Sequence, residues 1–428
     1  MQMIDRNIAP EIKDIKQLNI RKPDMVKLSG GAEVFLFDVS DQDFVKVELN
    51  FDAGSARCAK TLIAGITNKL LSEGTKTHSA AEIANLIDSY GGFFETSINN
   101  DIAVVALYTL NKYLDRTLAL LAEIVYEPVF AREELDIYLA QKKNEFLVNR
   151  ERVNFVARLM FPSLLFGKEH PYGRYAQVSD FDRVQRDDVI RFHKEKYLNA
   201  AFRIMVAGKV TEETLPLLEK YFGAVSLPRE VDSGISSTIS ASGSKEHFIE
   251  KEGAVQNAIR IGKQLVGRQH PDYAALRIVN TILGGYFGSR LMMNIREDKG
   301  YTYGIGSGIV NLRDAAYFYI TSEVKAEVTD LAVDEILKEI RKLQTEAVSA
   351  DELSLVKNYL QGEFQRSFDG PFALLSRFKE IYYSNLDYDY FEQYIQKVKS
   401  IDAEEIMHIA NNYWSVDELY RLIVGKKQ

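Results

Sequence analysis

The chain has 428 residues, 46% hydrophobic and 27% charged, with a net charge of −8, which allows two to four domains of ordinary globular composition. The negative balance argues against nucleic acid as the main partner, and the single cysteine, Cys58, excludes an internal disulfide and a four-cysteine zinc site. No run approaches the length of a membrane-spanning helix and the N-terminus lacks an apolar signal core, so no membrane association is expected and the expected location is cytoplasmic.

Residues 1–30 are polar and irregular and are expected to lie as an arm over the first domain. Glu33–Phe37 and Phe44–Phe51 read as a hairpin. Helical spacing runs over Ala59–Leu71 and ends at Gly74-Thr75; Ser79 with Glu82 forms a capping box for a helix to Tyr90. Strands follow at Phe93–Ser97 and Ile102–Thr109, then helices at Leu114–Val125 and, as one long charged stretch, Arg132–Arg158. Arg186–Tyr197, Phe202–Ala207 and Glu212–Phe222 read as helix, strand and helix. Leu227–Ser244 is rich in serine with Pro228, Gly234 and Gly243, which marks a linker. After it come a strand at Asn257–Ile261, a helix at Tyr273–Leu283, a strand at Tyr317–Ser322, and helices at Thr329–Leu343, Ala350–Ser367 and Pro371–Ser384. Glu404–Tyr413 and Leu419–Val424 close the chain.

The second part repeats the first. Val184–Lys209 aligns without a gap on Ile401–Lys426, placing Asp187-Asp188 on Glu404-Glu405 and Tyr197 on Trp414. Ile66–Leu71 likewise falls on Ile278–Leu283. The expected fold is therefore α+β: two duplicated α/β-sandwich domains related by a pseudo-twofold, residues 1–227 and 245–428, joined by a linker at 228–244.

The stretch Leu283–Gly308, LGGYFGSRLMMNIREDKGYTYGIGSG, carries the strongest chemical pattern. Glycines stand at 284, 285 and 288, a helical pattern runs through Leu291, Met292 and Ile295, and alternation begins at Tyr303. Arg296 and Tyr303 are thus placed across a helix–turn–strand. A guanidinium grips a carbonyl through a planar fork, and a phenol donates to a developing oxyanion. A helix-end charge and a buried strand tyrosine are the plainer alternative.

The order GG-x-x-x-S-R-L, R-E-x-x-G, x-x-Y-G resembles the C-terminal half of the insulinase/pitrilysin zinc peptidases, among them the mitochondrial processing peptidase and two-subunit bacterial relatives. The resemblance spans nearly the whole chain and implies that Arg296 and Tyr303 hold the substrate backbone, with Gly284, Gly285 and Gly288 in the substrate-binding segment. It also implies an inverted zinc motif, H-x-x-E-H, on a helix of the first half. Counting back from Gly74-Thr75 puts Gly65 and Lys69 where the histidines belong and Asn68 where the glutamate belongs. Glycine offers no donor, an ammonium repels a dication, and an amide has no basicity near neutral pH. Glu145 falls near the family's distant third ligand, though a solvated charge on a long helix explains it equally. The six histidines, at 78, 170, 193, 247, 270 and 408, include no pair spaced for one helix face.

The expectation is a substrate-binding, catalytically incomplete subunit of a heterodimeric zinc metallopeptidase. It would bind no cofactor itself; zinc would reside in an H-x-x-E-H-bearing partner, with a homodimer as the fallback when the chain is alone. The alternatives are a non-proteolytic scaffold member of the same family and a stand-alone peptide-binding module.

Overall fold

A computed structural model describes residues 20–224, 235 and 237–427. The first half contains β1 (Asp24–Lys27), β2 (Glu33–Asp38), β3 (Phe44–Phe51), α1 (Ile63–Leu70), α2 (Ala80–Ser89), β4 (Phe93–Ile98), β5 (Ala103–Leu110), α3 (Leu114–Tyr126), α4 (Arg132–Arg150), α5 (Val153–Phe166), α6 (Val178–Phe181), α7 (Arg186–His193), β6 (Phe202–Gly208) and α8 (Thr214–Phe222). The second contains β7 (Glu246–Glu250), β8 (Gln256–Leu265), α9 (Tyr273–Asn280), β9 (Thr302–Asn311), β10 (Ala316–Lys325), α10 (Thr329–Thr345), α11 (Ala350–Arg366), α12 (Pro371–Tyr382), α13 (Asp389–Ser400), α14 (Ala403–Tyr413) and β11 (Tyr420–Gly425).

Each half builds one sheet, in the orders β1-β2-β6-β3-β5-β4 and β7-β11-β8-β10-β9. Apart from β1 the two orders are the same, and each contains one parallel pair at the equivalent place, β2 with β6 and β7 with β11. The duplication read from sequence is therefore a duplication of topology. Tyr197 and Trp414, aligned by the repeat, are both fully buried.

Burial on both faces joins the halves. On β3, Val45, Val47, Leu49 and Phe51 face the helices of their own half. The opposite face of the same sheet carries Phe35, Phe37, Met205 and Ala207, and these pack with Leu374, Leu375 and Phe378 of α12. Reciprocally, Val153, Ala157, Phe161 and Leu165 of α5 pack on Ala258, Leu422 and Val424 of the second sheet. Each half thus lends one helix to the other's sheet, the exchange a pseudo-twofold relation produces.

That exchange explains the main departure from the expected elements. The stretch Arg132–Arg158 is not one helix: it ends at Arg150, Arg152 is extended, and α5 sets off toward the other sheet. The expected hairpin of Glu33–Phe37 with Phe44–Phe51 does not form, because β6 lies between β2 and β3 and pairs with both; the sequence reading also misses β1, β7, α6 and α13. β1 pairs with β2 within the supposed irregular arm, whose residues 1–19 lie outside the described residues. Residues 225–234 and 236 of the linker region lie outside them too. Its last part is tied down, with Ser240 and Ser242 N–H donating to Phe166 O and Leu164 O at 3.0 and 2.9 Å.

Candidate functional site

The helix of α9 continues through a π-wound turn, Thr281–Gly285, and a second π-wound segment spans Met292–Asp298. Gly284 is buried against β9: a Cβ there would come within 2.6 Å of Ser307 Oγ and 2.7 Å of its backbone nitrogen. Only glycine admits this approach. Gly284 therefore seats the helix end on the strand, while Gly285 and Gly288 lie at the surface. Two ties fix the second π segment and its lead-in. Arg290 makes a fork to Glu352 of α11, both bonds 2.8 Å, and Asn294 donates to Glu335 and Glu339 of α10 at 2.8 and 2.7 Å.

Gly300, at φ +65°, then turns the chain into β9. β9 is the edge of its sheet. Its pairing with β10 slips between Ser322 and Val324, so that Tyr303 and Gly304 together oppose Glu323. Such a bulge re-aims a side chain, and Tyr303 is 92% exposed. The buried-tyrosine alternative is thereby excluded. Arg296 lies over the ring of Phe287, 4.9 Å from its centroid, and pairs with Glu297 at 3.3 Å; Phe287 is itself exposed. The segment presents a cation, a phenol and an apolar ring beside a strand edge that is unpaired among the described residues. The bulge and Phe287 were not found from sequence. Alternation from Tyr303 onward hides a bulge, and a lone phenylalanine among glycines carries no periodic signal.

The first-half positions are otherwise arranged. Asn68 on α1 is 2% exposed. Its Nδ2 donates to Ser97 O at 2.9 Å, and its Oδ1 accepts from the Tyr197 hydroxyl at 3.0 Å. Lys69 pairs with Glu73 at 2.9 Å. Gly65 and Glu145 line one pocket of about 390 Å³, with Ile98, Tyr138, Phe146 and Phe155 among its apolar walls. Glu145 pairs there with Lys142 at 2.6 Å, which raises the lysine's pKa. Among the described residues no group of three or more His, Cys, Asp or Glu is placed to hold a metal ion. The two buried histidines serve the fold: His193 Nε2–H donates to Val125 O, His170 stacks on Phe166, and burial lowers both pKa values.

Two family profiles match this chain. One, described as "Insulinase (Peptidase family M16)", covers residues 34–161, and the other, described as "Peptidase M16 inactive domain", covers residues 183–360. The chain belongs to the peptidase M16 family. A Rickettsia bellii protein named "Uncharacterized zinc protease" is 24% identical over 91% of this chain and 94% of its own length. A Helicobacter pylori protein named "Non-peptidase homolog YmxG" is 20% identical over 89% of each. Among solved structures, a Pseudomonas fluorescens protein described as a peptidase M16 inactive domain superposes with a TM-score of 0.84 at 24% identity, covering 96% of this chain and 99% of that one. A Helicobacter pylori protein described as a protease gives 0.82 at 19% identity, covering 94% and 99%.

Within this M16 chain the donors on α1 do not fit the family's zinc. Gly65 brings no ligand atom, Lys69 brings a cation, and both polar atoms of the Asn68 amide are spent on Ser97 and Tyr197. The repeat maps Asn68 onto Asn280, at the same place in the second half. An amide at this position is thus common to both halves. Among the described residues no helix is long and apolar enough to cross a membrane.

Proposed function

We propose that this chain is the peptide-holding, catalytically incomplete partner of an M16 subunit that carries the H-x-x-E-H motif. The observation that carries the reading is the bulge at Tyr303 and Gly304, which exposes a phenol at the start of a free strand edge while Arg296 stands across the turn. A peptide adding to that edge gains main-chain hydrogen bonds. The Arg296 guanidinium would donate to a substrate carbonyl, and the Tyr303 hydroxyl to the oxygen on which charge develops. Such a hydroxyl is worth more in the transition state than in the ground state. A homodimer is the expected assembly in isolation, since closed pairs are the commonest.

The test is reconstitution with an M16 chain bearing the motif from the same source, assayed on peptides. Tyr303→Phe should lower kcat on the order of a hundredfold to a thousandfold with little change in KM, and Arg296→Ala should also raise KM. Wild-type kcat for Tyr303→Phe in a cleaving pair overturns the assignment. A stable pair that cleaves nothing supports instead the scaffold reading.

A further inference from the structure

Strand β10 buries Ala316, Phe318, Ile320, Ser322 and Val324 on one face. Ser322 interrupts an otherwise apolar row, and burying a hydroxyl costs free energy unless it is hydrogen-bonded. Its partners lie at the bulge of β9. Ser322 Oγ stands 3.0 Å from Gly304 O and 3.0 Å from Thr302 Oγ1. Thr302 Oγ1 in turn accepts from Gly304 N–H at 3.1 Å and donates to Glu323 O at 2.6 Å.

The hydrogens balance. The Thr302 hydroxyl serves Glu323 O, the Ser322 hydroxyl serves Gly304 O, and the Thr302 oxygen takes Gly304 N–H. Two side chains thus pair three backbone groups at the place where the ladder slips, and backbone polar groups away from water require such partners. The clamp also decides which residue faces inward. Ile305 lies opposite Ser322 and is buried. Strict alternation back from Ile305 would send Tyr303 to the same buried face. The bulge gives that place to Thr302 instead, opposite Val324, and Tyr303 emerges exposed.

We propose that Thr302 and Ser322 are positioning residues of the peptide-holding site: their hydroxyls lock the bulge and so hold the Tyr303 phenol outward at the edge of β9. The inference rests on the role given to Tyr303 above. It adds that this role depends on two hydroxyls that themselves touch no peptide. A loosened bulge misplaces the phenol, and a misplacement of about 1 Å can cost on the order of a hundredfold in rate.

Amide hydrogen exchange on the full chain tests the clamp without any partner. Thr302→Val keeps the shape and removes the hydroxyl; it and Ser322→Ala should each speed exchange at Gly304 roughly tenfold, with Phe318 and Ile320 unchanged. Thr302→Ser returns the hydroxyl and should restore the rate. In the reconstituted cleaving pair, Thr302→Val and Ser322→Ala should lower kcat roughly tenfold to a hundredfold with little change in KM. Added to Tyr303→Phe, neither should lower kcat further, because both act through that phenol; a general loss of stability would lower it in either background. Unchanged exchange in both variants overturns the clamp whatever the activity. Faster exchange with wild-type kcat, or full additivity with Tyr303→Phe, overturns the positioning role. Wild-type kcat for Tyr303→Phe itself strikes the role of Tyr303, and any positioning role with it, while the clamp is judged by exchange alone.

Discussion

Tyr197 donates its hydroxyl hydrogen to Asn68 Oδ1 at 3.0 Å, inside the first half and out of reach of solvent. With Nδ2 of the same amide donating to Ser97 O, the bond makes a continuous polar link from the π-wound turn Lys194–Leu198 that follows α7, through α1, to the edge strand β4. The amide does what a carboxylate at this place cannot: it donates and accepts at once.

The metal site should nonetheless be recoverable, because what is missing is ligands and not space. A Cβ at Gly65 meets nothing within 4 Å, Lys69 is half exposed, and the two positions share one helix face. The double variant Gly65→His, Lys69→His, leaving Asn68 in place, should bind one zinc per chain, with Glu145 as a further ligand. Metal analysis after dialysis measures it. If zinc stays absent, the site is not recoverable by these two ligands; if zinc binds and adding Glu145→Gln leaves its affinity unchanged, Glu145 is only a surface charge.

The helix exchange predicts a large effect from a single ring. Phe378 of α12 lies with its centroid 4.8 Å from that of Phe35 and 5.5 Å from that of Phe37, both on the other half's sheet. Phe378→Ala should cost about 3–5 kcal/mol. Urea denaturation should show both halves losing stability together, as one transition. Two separated transitions, with only one shifted, would mean that the halves are independent.

Acid should weaken the same seam. Burial pushes the Asp52 carboxyl up, but the Arg203 and Arg313 guanidiniums outweigh it and hold the group below the usual carboxylate range. Its contribution is complete above the unfolded value of about 4 and is lost as pH falls through the lower folded value. Asp52→Asn leaves two buried guanidiniums without their carboxylate and should cost about 3–5 kcal/mol at pH 7. The gap between variant and wild type should then narrow below about pH 4. A gap that stays constant from pH 7 to pH 3 would show that Asp52 acts through packing alone.

Much of this was legible in the residues. The repeat could be aligned because both halves bury an aromatic residue at the same place, Tyr197 and Trp414, and end the same strand on glycine, Gly208 and Gly425. Gly65, Asn68 and Lys69 could be compared with a zinc motif only by counting back from Gly74-Thr75, and the structure places all three on α1. What stayed hidden depends on distant partners. In β3, Lys46, Glu48 and Asn50 alternate with Val45, Val47 and Leu49, a pattern that ordinarily means one wet face. All three polar residues are buried, because α12 from the other half lies over them and brings Lys379 to Glu48 at 2.7 Å. The bulge at Tyr303 was equally hidden, since it is defined by the register of β10 and not by its own residues.

The lent helices also set an order of events during synthesis. The first sheet has all its strands once Gly208 is made, yet the helix that covers its second face is α12, which begins only at Pro371. At ordinary translation speeds that face waits on the order of ten seconds. During the interval Phe35, Phe37 and Met205 have no cover from α12. A ribosome-bound chain halted just before Pro371 should therefore be held by chaperones and cut readily by protease, and one in which α12 and β11, through Gly425, have both cleared the ribosome should not.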